Sequence, residues 1–420
     1  MIRMCLWADR QLVGWLGHQA GDFFLTYDSS WQTGGRGFAL APQFPLHQER
    51  HQGHTVRAFF ENLLPEGQAL DDVFAALQMR DASWFELLGH LGRDLPGVLK
   101  LLPEGSAPDV QQAYVPLPLA TLNQRLANRA QVPLLMTNVH GGMSLAGAQD
   151  KLAVRFNPRN HALSDSLGDS PTTHILKPDT RQARYQPSAI NEFACMKLAR
   201  AIKLPVPDVW LLRTPEAVLV VQRYDRTVDA GGQIQAVHQL DGCQLLGHGS
   251  AWKYQRMAGL VSVPLLAHAL RALPVTGQDM LQLLRWVMFN YLIGNADAHA
   301  KNLSVLVTPT GHRLAPFYDL LCVRVYGDHG LALFIGDDDQ FDAVGRHSWE
   351  ALCEDCGFGL LPTLKEFRRM SQTLLPAWHK VLSPLLQSAH TTPAEVALLH
   401  RMTDCLTRQC AAGLSMMDAG

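Results

Sequence analysis

An α+β chain, with a small mixed lobe ahead of a larger and mainly helical one, is predicted by three observations. The 420 residues exceed one ordinary domain of roughly 150 and divide into about two or three compact units. From Ser144 to Gln222 the pattern runs turn, strand, strand, helix, strand, strand, whereas beyond Asp241 it becomes mainly helical. Hydrophobic residues make up 47% of the chain and charged residues only 18%, which supplies large cores and excludes disorder as the dominant state.

The opening decapeptide interrupts its apolar residues with charges and reads as a first strand, not as a signal peptide. Strand-like runs follow at 12–16 and 23–27. A helix then aligns Val56, Phe59, Phe60, Leu63 and Leu64 until Pro65-Glu66-Gly67 stops it. Turn formers at 102–108 mark a boundary near residue 107, so residues 1–107 are expected to form an α/β subdomain of their own. A short amphipathic helix from Leu119 to about Ala130 precedes the turn Gly141-Gly142. Strands at 152–156 and 174–177, joined by a polar loop at 157–172, are predicted to pair as a hairpin. Ser188 is placed to cap a helix whose apolar stripe runs from Ile190 to Ile202 and which ends at Pro205. Strands at 209–213 and 217–222 turn at Thr214-Pro215-Glu216. Residues 108–235 make the second expected unit and 236–420 the helical third, with a long apolar helix from about Asp279 that Gly294 terminates.

The formal charge of -2 gives no broad basic surface for gripping nucleic acid unaided. No apolar stretch is long enough for a membrane span, because Gln282, Arg285 and Asn290 interrupt the best candidate. Eight scattered cysteines in a chain with large cores suit a reducing cytoplasm, and Cys353 and Cys356 lack the further ligands of a zinc site. There is no internal repeat or low-complexity tract.

Phosphoryl transfer needs the triphosphate held, its charge offset, and the attacking hydroxyl oriented. Ser144-Leu145-Ala146-Gly147-Ala148-Gln149 offers small side chains and backbone N–H groups that suit phosphates, although alone it reads first as an ordinary tight turn. Lys177, at the end of a strand, is placed to reach phosphates, with Glu192 on the next helix as its partner; a lysine at a strand end is also ordinary surface. The most specific run is NADAHAKN (295–302), which follows the long helix. Asp297 and Asn302 stand five apart, the spacing of base and metal ligand in the kinase catalytic loop, and His299 lies between them as a donor to transferring phosphate. Asp319, beyond the next strand turn, falls where a second metal-binding acid belongs. The competing reading is that these polar residues only cap their neighbours.

Five ordered segments, FFENLLPEG (59–67), SLAGAQDK (144–151), HILKP (174–178), NADAHAKN (295–302) and LAPFYDLL (314–321), resemble the HipA toxin kinases of bacterial toxin–antitoxin systems. The resemblance spans nearly the whole chain. It implies a bilobal protein-kinase-like fold with an extra N-terminal subdomain, and an ATP- and Mg²⁺-dependent serine/threonine protein kinase. It further implies that Asp297 is the base, that Asn302 and Asp319 hold Mg²⁺, and that Lys177 contacts the ATP phosphates beside the 146–149 loop. By the same resemblance Gln222-Arg223-Tyr224 is the adenine hinge, and Ser144 is phosphorylated by the kinase itself, which ejects the loop. Family members arrest growth by phosphorylating a translation component such as an aminoacyl-tRNA synthetase. They are neutralised by a small helix-turn-helix antitoxin of HipB type, which would supply DNA contact indirectly.

Two departures stand out: Leu240 replaces an acid in HQLDGCQLLG (238–247), leaving Asp241 alone, and the metal motif is Asp319-Leu320-Leu321 without a glycine. A phosphoinositide-like lipid kinase, which shares the DxHxxN loop, is the alternative enzyme class, weakened by the lack of a polybasic segment. An ATP-binding corepressor scaffold is the non-catalytic alternative, which the retained Lys177, Asp297, Asn302 and Asp319 disfavour.

Overall fold

Alternating apolar residues in the first hundred positions build an antiparallel sheet of five strands. They are β1 (Ile2–Ala8), β2 (Gln11–Gln19), β3 (Asp22–Tyr27), β4 (Arg50–Gln52) and β5 (Leu99–Pro103), in the order β4-β3-β2-β1-β5. The computed structural model describes residues 2–19, 21–79, 83–137, 147 and 149–418. Leu6, Leu16 and Leu25 are buried on one face of the sheet, as the period of two requires, and Val13, the extra residue of a bulge, is buried as well. The helix His54–Glu61 buries Val56, Phe59 and Phe60, and Leu63 and Leu64 beyond its end are buried too.

A second antiparallel array holds β6 (Tyr114–Pro116), β7 (Leu152–Asn157), β8 (Ala162–Ser166) and β9 (His174–Pro178), in the order β9-β7-β8-β6. The expected antiparallel pair of strands is present, but the connection between them differs from a plain loop. The polar stretch read as a loop contains β8, which pairs Leu163 with Phe156, while β9 lies on the other side of β7 with Leu176 opposite Leu152. A strand as polar as ALSDS survives because Leu163 is buried and Asp165 takes a two-pronged bond from Arg125 at 2.9 and 2.6 Å.

The chain folds into two compact units, each assembled from separate pieces. The first comprises Met1–Pro178, Val220–Ser250 and Leu306–Thr308; the second comprises Asp179–Leu219, Ala251–Val305 and Pro309–Gly420. In the second unit the helix Gly277–Ile293 is the core element, with Leu283, Met288, Phe289, Leu292 and Ile293 fully enclosed. Thr276 and Asp279 form a capping box at its start. Gly294 ends it at φ 69°, where a Cβ would stand 3.0 Å from the Cys405 sulfur. The helices Leu360–Gln387 and Pro393–Asp418 pack against it.

The helix expected to begin at Ser188 spans Ala189–Ala201, and its cap differs from expectation. Ser188 and Ala189 N–H groups both donate to Asp179 Oδ1 at 2.8 Å, while the Ser188 hydroxyl accepts from Thr180. It stops before Pro205 because Lys203 turns left-handed, at φ 64°. Among the described residues no helix is long and apolar enough to cross a membrane, and no three metal-ligating side chains cluster. All eight cysteines are buried and none is in a disulfide; Cys353 and Cys356 lie on the helix Arg346–Cys356.

Candidate active site

The loop after Gly294 is held by its own side chains. Asn295 donates to Asn290 Oδ1 at 2.8 Å and accepts the Asp297 N–H at 3.1 Å. The Asp297 carbonyl in turn accepts the His299 N–H at 2.8 Å and the Asn302 side-chain amide at 2.9 Å. The five-residue spacing therefore has a geometric cause: the 3₁₀ turn Ala300–Asn302 brings the Asn302 side chain back onto the residue it is paired with. The Asp297 side chain is partly exposed, while His299 and Asn302 are buried. From outside the loop, the Tyr254 hydroxyl donates to Asp297 Oδ1 at 2.6 Å, its ring meets His299 edge-on, and the Lys253 carbonyl accepts from Ala300 N–H.

Asp319 is brought to the same loop. Its carbonyl accepts from the Asn295 amide at 3.3 Å, and the preceding Tyr318 hydroxyl donates to the Lys301 carbonyl at 2.6 Å. Asp319 adopts a left-handed backbone, φ 57°, a conformation that Asp tolerates better than most residues. The segment behind it is anchored by Asn191, which accepts the Cys322 N–H at 2.8 Å and donates to the Cys322 carbonyl at 3.1 Å. Asn191 neighbours Glu192 on a helix where both are buried. The residue types suit a hard divalent cation: the Asn302 amide nitrogen is spent on the Asp297 carbonyl, so its oxygen is the atom that would ligate, and Asp319 carries a carboxylate.

In the first unit, Gln149 donates to the Pro178 carbonyl at 3.0 Å, which holds Gln149 at the end of β9, where Pro178 is next to Lys177 in sequence. Gly147 has φ 103° and its carbonyl accepts from Glu66 N–H, so the PEG stop of the N-terminal helix touches Gly147. Ser144, Ala146 and Ala148 lie outside the described residues. Gln222 is exposed, Tyr224 is half-buried with its hydroxyl bonded to Gln239, and the Arg223 side chain is buried in an ion cluster with Asp94, Asp225 and Arg226. Burial alone would push the Asp225 carboxyl up, but the two guanidiniums beside it outweigh that and hold it down at about 2. Asp241 proves to be a helix cap: it accepts the Gln244 N–H at 2.8 Å, and Gln244 bonds the Phe59 carbonyl, so the missing acid at Leu240 leaves this role intact.

Residues 4–102 match the HipA N-terminal domain and residues 143–378 match the HipA-like C-terminal domain, more than half of the chain. The chain belongs to the HipA family. Its HipA relatives include a Sinorhizobium fredii protein bearing a kinase name, Y4mE, 35% identical over 84% of this chain and 86% of that protein. The serine/threonine-protein kinase toxin HipA of Shewanella oneidensis is 32% identical over 81% of this chain and 79% of its own length. A solved structure of the Shewanella oneidensis HipA, HipB and operator DNA complex superposes with a TM-score of 0.83 and 26% identity, covering 99% of this chain and 98% of that one. The mixed α/β architecture is thus that of HipA.

Two residues that brace this region, Tyr254 and Asn191, escape a reading by motif, whereas Asn295 opens the octet itself. Tyr254 and Asn191 act across 43 and 131 positions, and no local pattern marks them.

Proposed function

We propose that this chain is an ATP- and Mg²⁺-dependent serine/threonine protein kinase of the HipA type, with a bilobal protein-kinase-like fold, acting in the cytoplasm. The observation that supports the reading is the loop 295–302, in which the Asn302 amide binds the carbonyl of the partly exposed Asp297 and Asn295 ties the Asp319 backbone to the same loop. Tyr254 occupies Oδ1 of Asp297 and leaves Oδ2 to accept the proton of the attacking hydroxyl. Asn302 and Asp319 would hold Mg²⁺, which offsets charge on the phosphates. His299 donates to the transferring group. Lys177, steadied by Glu192, contacts the phosphates together with residues 146–149, and the 222–224 backbone receives adenine.

The protein substrate is a translation component such as an aminoacyl-tRNA synthetase, whose phosphorylation arrests growth. Self-phosphorylation at Ser144 places a dianion beside the nucleotide phosphates and switches the enzyme off. A HipB-type helix-turn-helix antitoxin is the partner, and DNA is reached only through it, in keeping with a net charge of -2.

The test is incubation of the purified chain with labelled ATP and a bacterial lysate, beside the variant Asp297→Gln. Label should enter a discrete lysate protein, and the variant should lose about 10²–10⁴-fold of the transfer rate with an unchanged melting temperature. Equal labelling by both proteins would dispose of the assignment.

A further inference from the structure

Arg223 sits in the segment read above as the adenine hinge, yet its side chain is turned into the protein and is 4% exposed. It donates through Nε and Nη2 to both oxygens of Asp225, at 3.0 and 2.9 Å, and through Nη1 to Asp94 at 3.1 Å and Thr172 at 2.9 Å. Arg226 donates to Asp94 Oδ1 at 2.7 Å and to Asp225 Oδ2 at 2.8 Å. Backbone groups close the cluster: the Leu95 carbonyl accepts from both arginines, the Gly97 carbonyl accepts from Arg226, and Gly97 N–H donates to Asp225. Two positive and two negative charges balance, and each of the four side chains is under a tenth exposed.

A buried ion cluster of this kind stabilises a fold no better than well-packed apolar residues would. What its forked guanidinium bonds provide is direction. The direction is imposed on residues 223–225, which lie in a turn between two strands. Arg223 N–H donates to the Thr173 carbonyl and Asp225 accepts from Val237 N–H, so side chains and backbone hold this turn from both sides. Asp94, Leu95 and Gly97 all lie within residues 4–102, the N-terminal family domain.

We propose that Asp94 is a positioning residue for the nucleotide. Through Arg223 and Arg226 it acts as a clasp that presets the 222–224 backbone for adenine and makes the N-terminal domain a working part of the ATP site. The inference rests on the kinase reading above. If a clasp variant populates the competent turn only a tenth of the time, its apparent affinity for ATP falls tenfold.

The variants are Asp94→Asn and the milder, near-isosteric Thr172→Val, which carries the test should the first fail to fold. The control is Asp165→Asn, which breaks the Arg125 pair in the same unit, far in sequence from the hinge. Calorimetric titration with ATP and Mg²⁺ should give a Kd raised roughly tenfold for the clasp variants and within about twofold of the parent for the control. In initial-rate assays of ATP turnover the same variants should raise KM and leave kcat within about twofold. Parent-like ATP affinity in folded Thr172→Val and Asp94→Asn overturns the proposal, as does an equal loss in the control. A parent chain that binds no ATP removes the kinase reading itself, a different failure.

Discussion

Replacing Asp225 with Asn should destabilise the protein by about 3 kcal/mol at neutral pH. The carboxyl is fully enclosed and held at about 2 in the folded chain, against roughly 3.9 when unfolded, and a shift of that size corresponds to about 2–3 kcal/mol of pH-linked stability. Removing the charge also leaves Arg223 and Arg226 sharing Asp94 alone, an uncompensated buried cation of a kind that costs about 3–5 kcal/mol. Because the folded value lies below the unfolded one, the stabilisation is whole above about pH 4 and is lost as pH falls towards 2. Urea unfolding followed by tryptophan fluorescence at pH 7 and pH 3 measures both effects, and the gap between parent and variant should narrow by about half at the lower pH. A gap below about 0.5 kcal/mol at pH 7, or one as wide at pH 3 as at pH 7, refutes the assigned role.

The remaining predictions concern the reaction. Tyr254→Phe removes the hydrogen bond that orients the Asp297 carboxylate and should lower kcat about tenfold with little change in KM for ATP, measured by initial rates. Unchanged kcat would show that the tyrosine is bystander packing. Asp319→Asn should weaken Mg²⁺-dependent ATP binding by about tenfold or more in calorimetry, with a melting temperature near the parent's; equal heats in both proteins would remove it from the metal site. Ser144→Ala should abolish self-incorporated phosphate while initial activity towards other proteins persists, and mass spectrometry that finds phosphate elsewhere and none at Ser144 in the parent would reject that site.

The loop at 295–302 was legible because its chemistry is local. Asp297, His299 and Asn302 share one turn, and the helix before it ends at a glycine in the left-handed conformation that the pattern implies. The apolar stripes of the helices at 54–61 and 277–293 were legible for the same reason. What escaped depends on distant partners. The strand Ala162–Ser166 has too few apolar residues to announce itself and is made acceptable by Arg125, forty positions away. Ser188 looked like the cap because it adjoins the helix, whereas Asp179 reaches the same N–H groups by folding back across a nine-residue excursion. Arg223 was read as a nucleotide neighbour; nothing adjacent to it discloses that Asp94 lies under it.

The division of the chain into interleaved pieces bears on how it emerges from the ribosome. The first unit is interrupted after Pro178 and receives its last residues only at Leu306–Thr308. At roughly 5–20 residues per second, its opening portion waits on the order of ten seconds for its missing strands. For part of that interval the strand His238–Asp241 lacks the neighbour to which Leu306–Thr308 belong, and an open strand edge on a nascent chain invites pairing with other chains.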